Sequence, residues 1–161
     1  MIRPARPEDA PALAALMNDW IVHTAVTFNP VPRSADEVAD QIAAKAKAGH
    51  GFFVAEAKGV VLGQASYGQF RGGLGYATCM EHSISLLPGQ RGGGLGMALL
   101  AAVEDHARAG GAHQMIAGVS GENPEGRAFH ERQGYRLIAT ISEAGFKFGR
   151  YMDLLILRKF L

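Results

Sequence analysis

Cysteine occurs once in the chain, at Cys79, so no internal disulfide can form and a reducing, cytoplasmic setting is the expectation. Tryptophan is also single, at Trp20. No apolar run approaches the roughly 20 residues that a membrane-spanning helix needs. The opening MIRPARPEDAP is broken by prolines and lacks the apolar stretch of a signal peptide. Excess charge is scarce too, because 16 Lys and Arg against 15 Asp and Glu leave a net +1, too little for a nucleic-acid surface. No Cys/His cluster has metal-ligand spacing. With 48% hydrophobic and 19% charged residues over 161 positions, the chain has the balance of one globular domain, residues 1–161, with enough core to need no covalent staple.

What the chain has instead is a regular alternation of short elements. Residues 1–5 read as a short strand, and Pro7-Glu8-Asp9 leads a helix carrying Leu13, Leu16, Met17 and Trp20. FNPVPRSADE is a proline-broken loop in which Ser34 and Glu37 form a capping box for a second helix ending near Gly49. GFFVAEA and VVLGQASYG flank Lys58-Gly59 as a hairpin, and TCMEHSISLL is the next strand. A helix follows from Leu95 to the Gly110-Gly111 stop, then a strand in QMIAGVS, a short helix over residues 124–133, and a closing strand pair in YRLIATIS and YMDLLILRKF. The pattern predicts an α+β (mixed α/β) domain with an antiparallel first half and at least one strand-helix-strand crossover.

Glycine is concentrated where a strand gives way to a helix, in LLPGQRGGGLGMALL. Glycines there bare the backbone at a helix N-terminus, which carries unpaired N–H groups and partial positive charge, so an anion is the expected guest. A dinucleotide fingerprint fails because Leu99 stands where its third glycine belongs, and a Walker A loop fails because no Gly-Lys-Ser/Thr follows.

Arg91-Gly92-Gly93-Gly94-Leu95-Gly96 fits the R/Q-x-x-G-x-G/A loop of the GNAT N-acetyltransferases. MEHSIS before it, SGENPEGRAFHERQGY after the next strand and GFKFGRYMDL near the C-terminus resemble the phosphinothricin/methionine sulfoximine acetyltransferase branch, in the same order over nearly the whole chain. The resemblance implies the GNAT fold, a mostly antiparallel mixed sheet flanked by helices, with acetyl-CoA as co-substrate and no metal. It implies that N–H groups from Arg91 to Gly96 hold the pyrophosphate, with charge from Arg91. It further implies that the backbone of Ile84, Ser85 and Leu86 pairs with the pantetheine arm and that Asn123 contacts the same arm. The family expectation also includes a homodimer whose C-terminal strands approach the second site.

Glu81 stands in an apolar strand, where glutamate is depleted. Period-two alternation puts it on one face with Cys79, Ser83 and Ser85, and His82 on the other. An amine arrives as ammonium and must lose a proton before attacking a thioester, so a carboxylate here is a candidate general base; the resemblance assigns Glu81 that role. His130 matches the position where the branch carries histidine and the wider superfamily a tyrosine. An imidazolium there would donate to the departing thiolate, whose pKa is about 8.5. Cys79 has no base near it in sequence, and the family transfers acetyl directly.

For the acceptor, Arg71 and Lys147 (or Arg150) are candidate cations for a carboxylate, and Phe28, Phe70 and Tyr76 candidate walls. Relatives often carry tryptophan at Phe70 and a second arginine at Ala77, so recognition of a strongly anionic phosphinate is expected to be weaker here than that of a neutral sulfone or sulfoximine. The reading is an acetyl-CoA-dependent N-acetyltransferase acting on the amine of a small amino-acid-like molecule. The alternatives are a protein or peptide N-acetyltransferase and a CoA-binding regulatory module without turnover.

Overall fold

The computed structural model describes residues 1–161. Its strands are β1 (Ile2–Pro4), β2 (Phe52–Ala57), β3 (Val60–Gln69), β4 (Cys79–Leu86), β5 (Gln114–Ser120), β6 (Arg136–Lys147) and β7 (Arg150–Phe160). The helices are α1 (Ala10–His23), α2 (Ala35–Lys47), α3 (Leu95–Ala109) and α4 (Pro124–Arg132). One sheet holds all seven strands in the order β1-β2-β3-β4-β5-β7-β6, and only the β4–β5 pair is parallel.

Local chemistry sets the helix starts. Ser34 Oγ accepts from the Glu37 N–H (3.1 Å) while a Glu37 carboxylate oxygen accepts from the Ser34 N–H (2.7 Å), closing the expected capping box of α2. Asn123 Oδ1 accepts from the Gly126 N–H (2.9 Å), with Pro124 at the first helical position of α4.

Two cores lie on opposite faces of the sheet. Leu13, Ala14, Val38 and Ile42 from α1 and α2 pack on Phe52 and Val54. On the other face Leu99, Leu100 and Val103 of α3 pack with Tyr67, Met80, Met115, Val119, Tyr135 and Leu157. Alternation along β4 therefore sends Met80 and His82 toward α3 and Glu81 toward the α1/α2 side.

The closing hairpin is longer than its sequence suggests. β6 continues past Ser142 to Lys147, through an irregularity between Ile141 and Gly145 where Glu143 takes φ 56° and its N–H bonds Asp153 Oδ1 (2.9 Å). Phe148 (φ 53°) and Gly149 (φ 73°) make the two-residue turn into β7, both left-handed as a primed hairpin turn requires. GFKFGR is thus a tight hairpin rather than a loop open to a ligand.

Candidate active site

β4 and β5 stay together only briefly. Their ladder joins residues 79–82 to residues 114–117 and then ends, while β5 remains paired with β7 along its whole length. The second half of β4 is left with a free edge facing β5. The cleft that opens there, about 1170 Å³, passes from the α1/α2 face to the α3/α4 face of the sheet.

One mouth of the cleft is the glycine loop. Gly89, Gly92 and Gly94 take φ of 82°, 85° and 80°, conformations that side chains disfavour. Nothing lies within 4 Å of where a Cβ would stand on any of them or on Gly93. Gly94 caps α3 without a side-chain partner, so no side chain at the cap satisfies the first N–H groups of a 15-residue helix. Gly96 is less open, its Cβ position lying at ordinary contact distance (3.4 Å) from the Phe129 ring. Arg91 stacks over Trp20 (5.2 Å to the ring centroid) and ion-pairs with Glu125 across the mouth, so an anion here must draw Arg91 away from Glu125. The Trp20 indole N–H donates to the Leu86 carbonyl (2.8 Å), removing that acceptor from the free edge. Asn123 lines the cleft too, with its carbonyl oxygen committed to the α4 cap.

Glu81 sits midway. Facing one another on the α1/α2 side of the sheet are Gln64, Ser66 and Gly68 of β3, Glu81, Ser83 and Ser85 of β4, and Gly118 and Ser120 of β5, all lining the cleft. Gly68 pairs directly with Glu81, and a Cβ on Gly118 would stand 3.1 Å from Glu81 Oε1. Both neighbouring strands thus leave the carboxylate unobstructed. Burial pushes the Glu81 carboxyl above the usual glutamate range, with the Lys45 ammonium pulling the other way.

On the opposite face, His130 is 6% exposed, leans over His82 (5.1 Å between centroids) and meets Tyr135 edge-to-face (5.4 Å). A carbonyl can only accept, so the 2.7 Å contact from His130 Nδ1 to the Gly126 oxygen fixes the proton on Nδ1. Nε2 is buried without a partner. Burial pushes this imidazole below its ordinary value, with the Gly126 bond and Glu104 opposing. The resting form at neutral pH is therefore neutral with a lone pair on Nε2, which corrects the imidazolium expected from sequence. His82 is packed, as its face predicts, and burial pushes it down to about 3.

The acceptor candidates divide. Phe28 lines the cleft, its ring lying on Gly145 of β6 so closely that a Cβ there would overlap it. Arg71 and Tyr76 are exposed and lie outside the cleft. Lys147 is 4% exposed and spends all three N–H bonds on the carbonyls of Ile21 (2.5 Å), Thr24 (2.7 Å) and Thr27 (2.9 Å). It clamps the segment leading to Phe28 and has no donor left for a ligand. Arg150 is engaged by Glu122. Residues the sequence reading passed over, Lys45, Gln64, Gly68 and Gly118, line the cleft beside Glu81.

A bare anion cradle on one side of a free strand edge and an uncommitted carboxylate on the other suit transfer of a group from an anionic carrier to an acceptor. The chain belongs to the acetyltransferase (GNAT) family, whose pattern matches residues 16–135, and it is an N-acetyltransferase. It is 37% identical over 153 residues to the L-amino acid N-acyltransferase MnaT of Escherichia coli K12, covering 95% of this chain and 89% of that protein. The L-methionine sulfoximine/L-methionine sulfone acetyltransferase of Pseudomonas paraeruginosa PA7 is 37% identical over 154 residues, covering 95% of this chain and 90% of the relative. Among solved structures, a ribosomal-protein-alanine N-acetyltransferase from Brucella melitensis superposes with TM-score 0.96 at 36% identity, covering 100% and 99% of the two chains. A putative acetyltransferase of Salmonella typhimurium, solved with its cofactor acetyl-CoA, superposes with TM-score 0.96 at 34% identity, covering 100% and 93%.

Proposed function

We propose that this chain moves the acetyl group of acetyl-CoA directly onto the amine of a small amino acid of the methionine sulfone or sulfoximine kind, with Glu81 as the base. The observation that carries the reading is the Glu81 carboxylate, half-buried and unobstructed at the centre of the cleft, with a carboxyl raised by burial. The glycine loop and α3 N-terminus take the pyrophosphate, and the free edge of β4, where the backbone of Ile84 and the N–H of Leu86 face away from β3, takes the pantetheine arm as an added strand. Glu81 removes a proton from the ammonium, and the freed nitrogen lone pair attacks the thioester carbon. Collapse of the tetrahedral intermediate breaks the C–S bond. A β4 N–H stabilises the oxyanion meanwhile. Of the two protons the nitrogen loses, one reaches solvent through Glu81 and the other ends on sulfur. His130 contacts the sulfur end from the opposite face.

The acceptor pocket is walled by Met17 and Phe28 and dotted with the neutral amides of Asn29, Gln41 and Gln64, with Arg33 touching Gln41. Neutral amides match the oxygens and imine of a sulfone or sulfoximine better than the full charge of a phosphinate. Acetyl-CoA turnover, followed by thiol release, is expected with methionine sulfone and sulfoximine at least tenfold above phosphinothricin, peptides and polyamines. The Brucella neighbour's name favours a second reading, acetylation of a protein N-terminus, and best turnover with peptides would establish it instead. Binding of CoA without release of thiol from any acceptor would leave a regulatory binder.

We also infer a homodimer. β6 is an edge strand, and the hairpin exposes Ile138, Ile141, Phe146 and Tyr151, an apolar strip of the kind that a second copy covers. Light scattering is expected to give twice the 17.1 kDa chain mass, and charge introduced at Ile141 should return it to one.

A further inference from the structure

The amine end of the cleft contains a cation that the steps above do not use. We propose that Lys45 is the seat of the acceptor's α-carboxylate, pairing with it one carbon away from the amine that Glu81 deprotonates; this rests on the functional reading just given.

Lys45 lies in the last turn of α2 and lines the cleft. Its Nζ is 3.4 Å from where a Cβ on Gly68 would stand, and Gly68 is directly opposite Glu81 in the β3–β4 ladder. Residues directly opposite share a face, with Cβ positions about 4.5–5.5 Å apart, so ammonium and carboxylate overhang the same patch of sheet. The missing side chain at Gly68 keeps that patch open. Lys45 gives one N–H to the Tyr67 carbonyl (2.8 Å), leaving two donors of a half-buried ammonium turned to the cleft. Burial holds this ammonium below its ordinary value and Glu81 opposes the shift, the mark of a charge short of counter-ions.

The competing cations are committed or elsewhere. Lys147 is saturated by carbonyls, Arg150 is held by Glu122, and Arg91 sits at the other mouth with Glu125. Arg33 is the exception, lining the cleft with donors to spare beyond a 3.5 Å contact to the Gln41 side chain, but Lys45 is the only cation close enough to Glu81 to act on its carboxyl. An α-amino acid carries ammonium and carboxylate on one carbon, so the first can meet Glu81 while the second meets Lys45 and the side chain turns toward Phe28. A polyamine or a lysine side chain brings no carboxylate to Lys45. A peptide N-terminus has converted that carboxylate into an amide. Lys45 therefore selects free amino acids.

The test compares L-methionine sulfone with its decarboxylated counterpart, 3-(methylsulfonyl)propan-1-amine, in the wild type, Lys45→Met and Lys45→Arg. Lys45→Met is expected to lower kcat/KM for the sulfone roughly 10- to 100-fold, mostly through KM, as for loss of a charge-assisted contact. The readout is the ratio between the two compounds, because Lys45 also acts on the Glu81 carboxyl and that effect falls on both alike. The preference for the sulfone should collapse, KM for acetyl-CoA should stay within about threefold of wild type, and Lys45→Arg should restore most of the preference. Equal losses on both compounds would make Lys45 a structural strut and overturn the proposal, as would a Met variant that keeps the wild-type preference. Wild-type turnover of peptides but neither small compound would remove the functional reading, and the Lys45 assignment with it.

Discussion

Glu81→Gln is expected to lower kcat roughly 10²- to 10⁴-fold, the usual share of general-base catalysis, while the dissociation constant for acetyl-CoA is unchanged. Glutamine keeps the shape beside Gly68 and Gly118 but cannot take a proton from the ammonium. The wild-type rate should fall on the acid side as Glu81 is protonated, at a pH above that of an exposed glutamate because burial raises this carboxyl. The variant's residual rate should lack that limb. Stability moves the other way. A carboxyl raised on folding favours the native state below the unfolded pKa, and that contribution disappears as pH rises through the folded value. At neutral pH the charged Glu81 thus weighs against folding, and the glutamine variant should melt at a slightly higher temperature. Wild-type kcat and pH profile in Glu81→Gln would remove the residue from the chemistry.

Lys147→Met is expected to destabilise the protein by about 2–4 kcal/mol, since three carbonyls lose a charged donor. The amine KM should rise as well. Lys147 ties the end of α1 and the following segment to β6, and Phe28 rides on that segment against Gly145. Loosening the clamp frees the Phe28 ring, the wall proposed for the acceptor, from its seat in the cleft. Urea unfolding and steady-state kinetics on one preparation separate this from a ligand contact: a lysine that met the substrate would raise KM with no loss of stability, and that result would refute the clamp.

Features written locally were legible in the sequence. The Ser34–Glu37 box, the Asn123 cap and the glycine loop each depend on neighbours a few residues apart. Glu81 stood out because an acid in an apolar strand needs a reason. Lys147 was misread because its partners lie 120 to 126 residues away, and nothing beside it in GFKFGR marks three buried carbonyls. Lys45 was hidden for a related reason. Next to Lys47 on a helix it looks like any solvated charge, and only the docking of α2 over Gly68 brings it to Glu81. The protonation of His130 was equally invisible, being set by the depth at which His82 and Tyr135 enclose it.

The single tryptophan carries a practical consequence. Trp20 lies beneath the Arg91 guanidinium and is tethered through its indole N–H to Leu86, so all indole emission from the folded chain originates at the glycine-loop mouth of the cleft. On the proposed reading, a diphosphate that draws Arg91 away from Glu125 removes a cation from the face of that ring. The enzyme thus contains an intrinsic optical probe seated at its glycine loop, with no second fluorophore of the same kind to blur the signal.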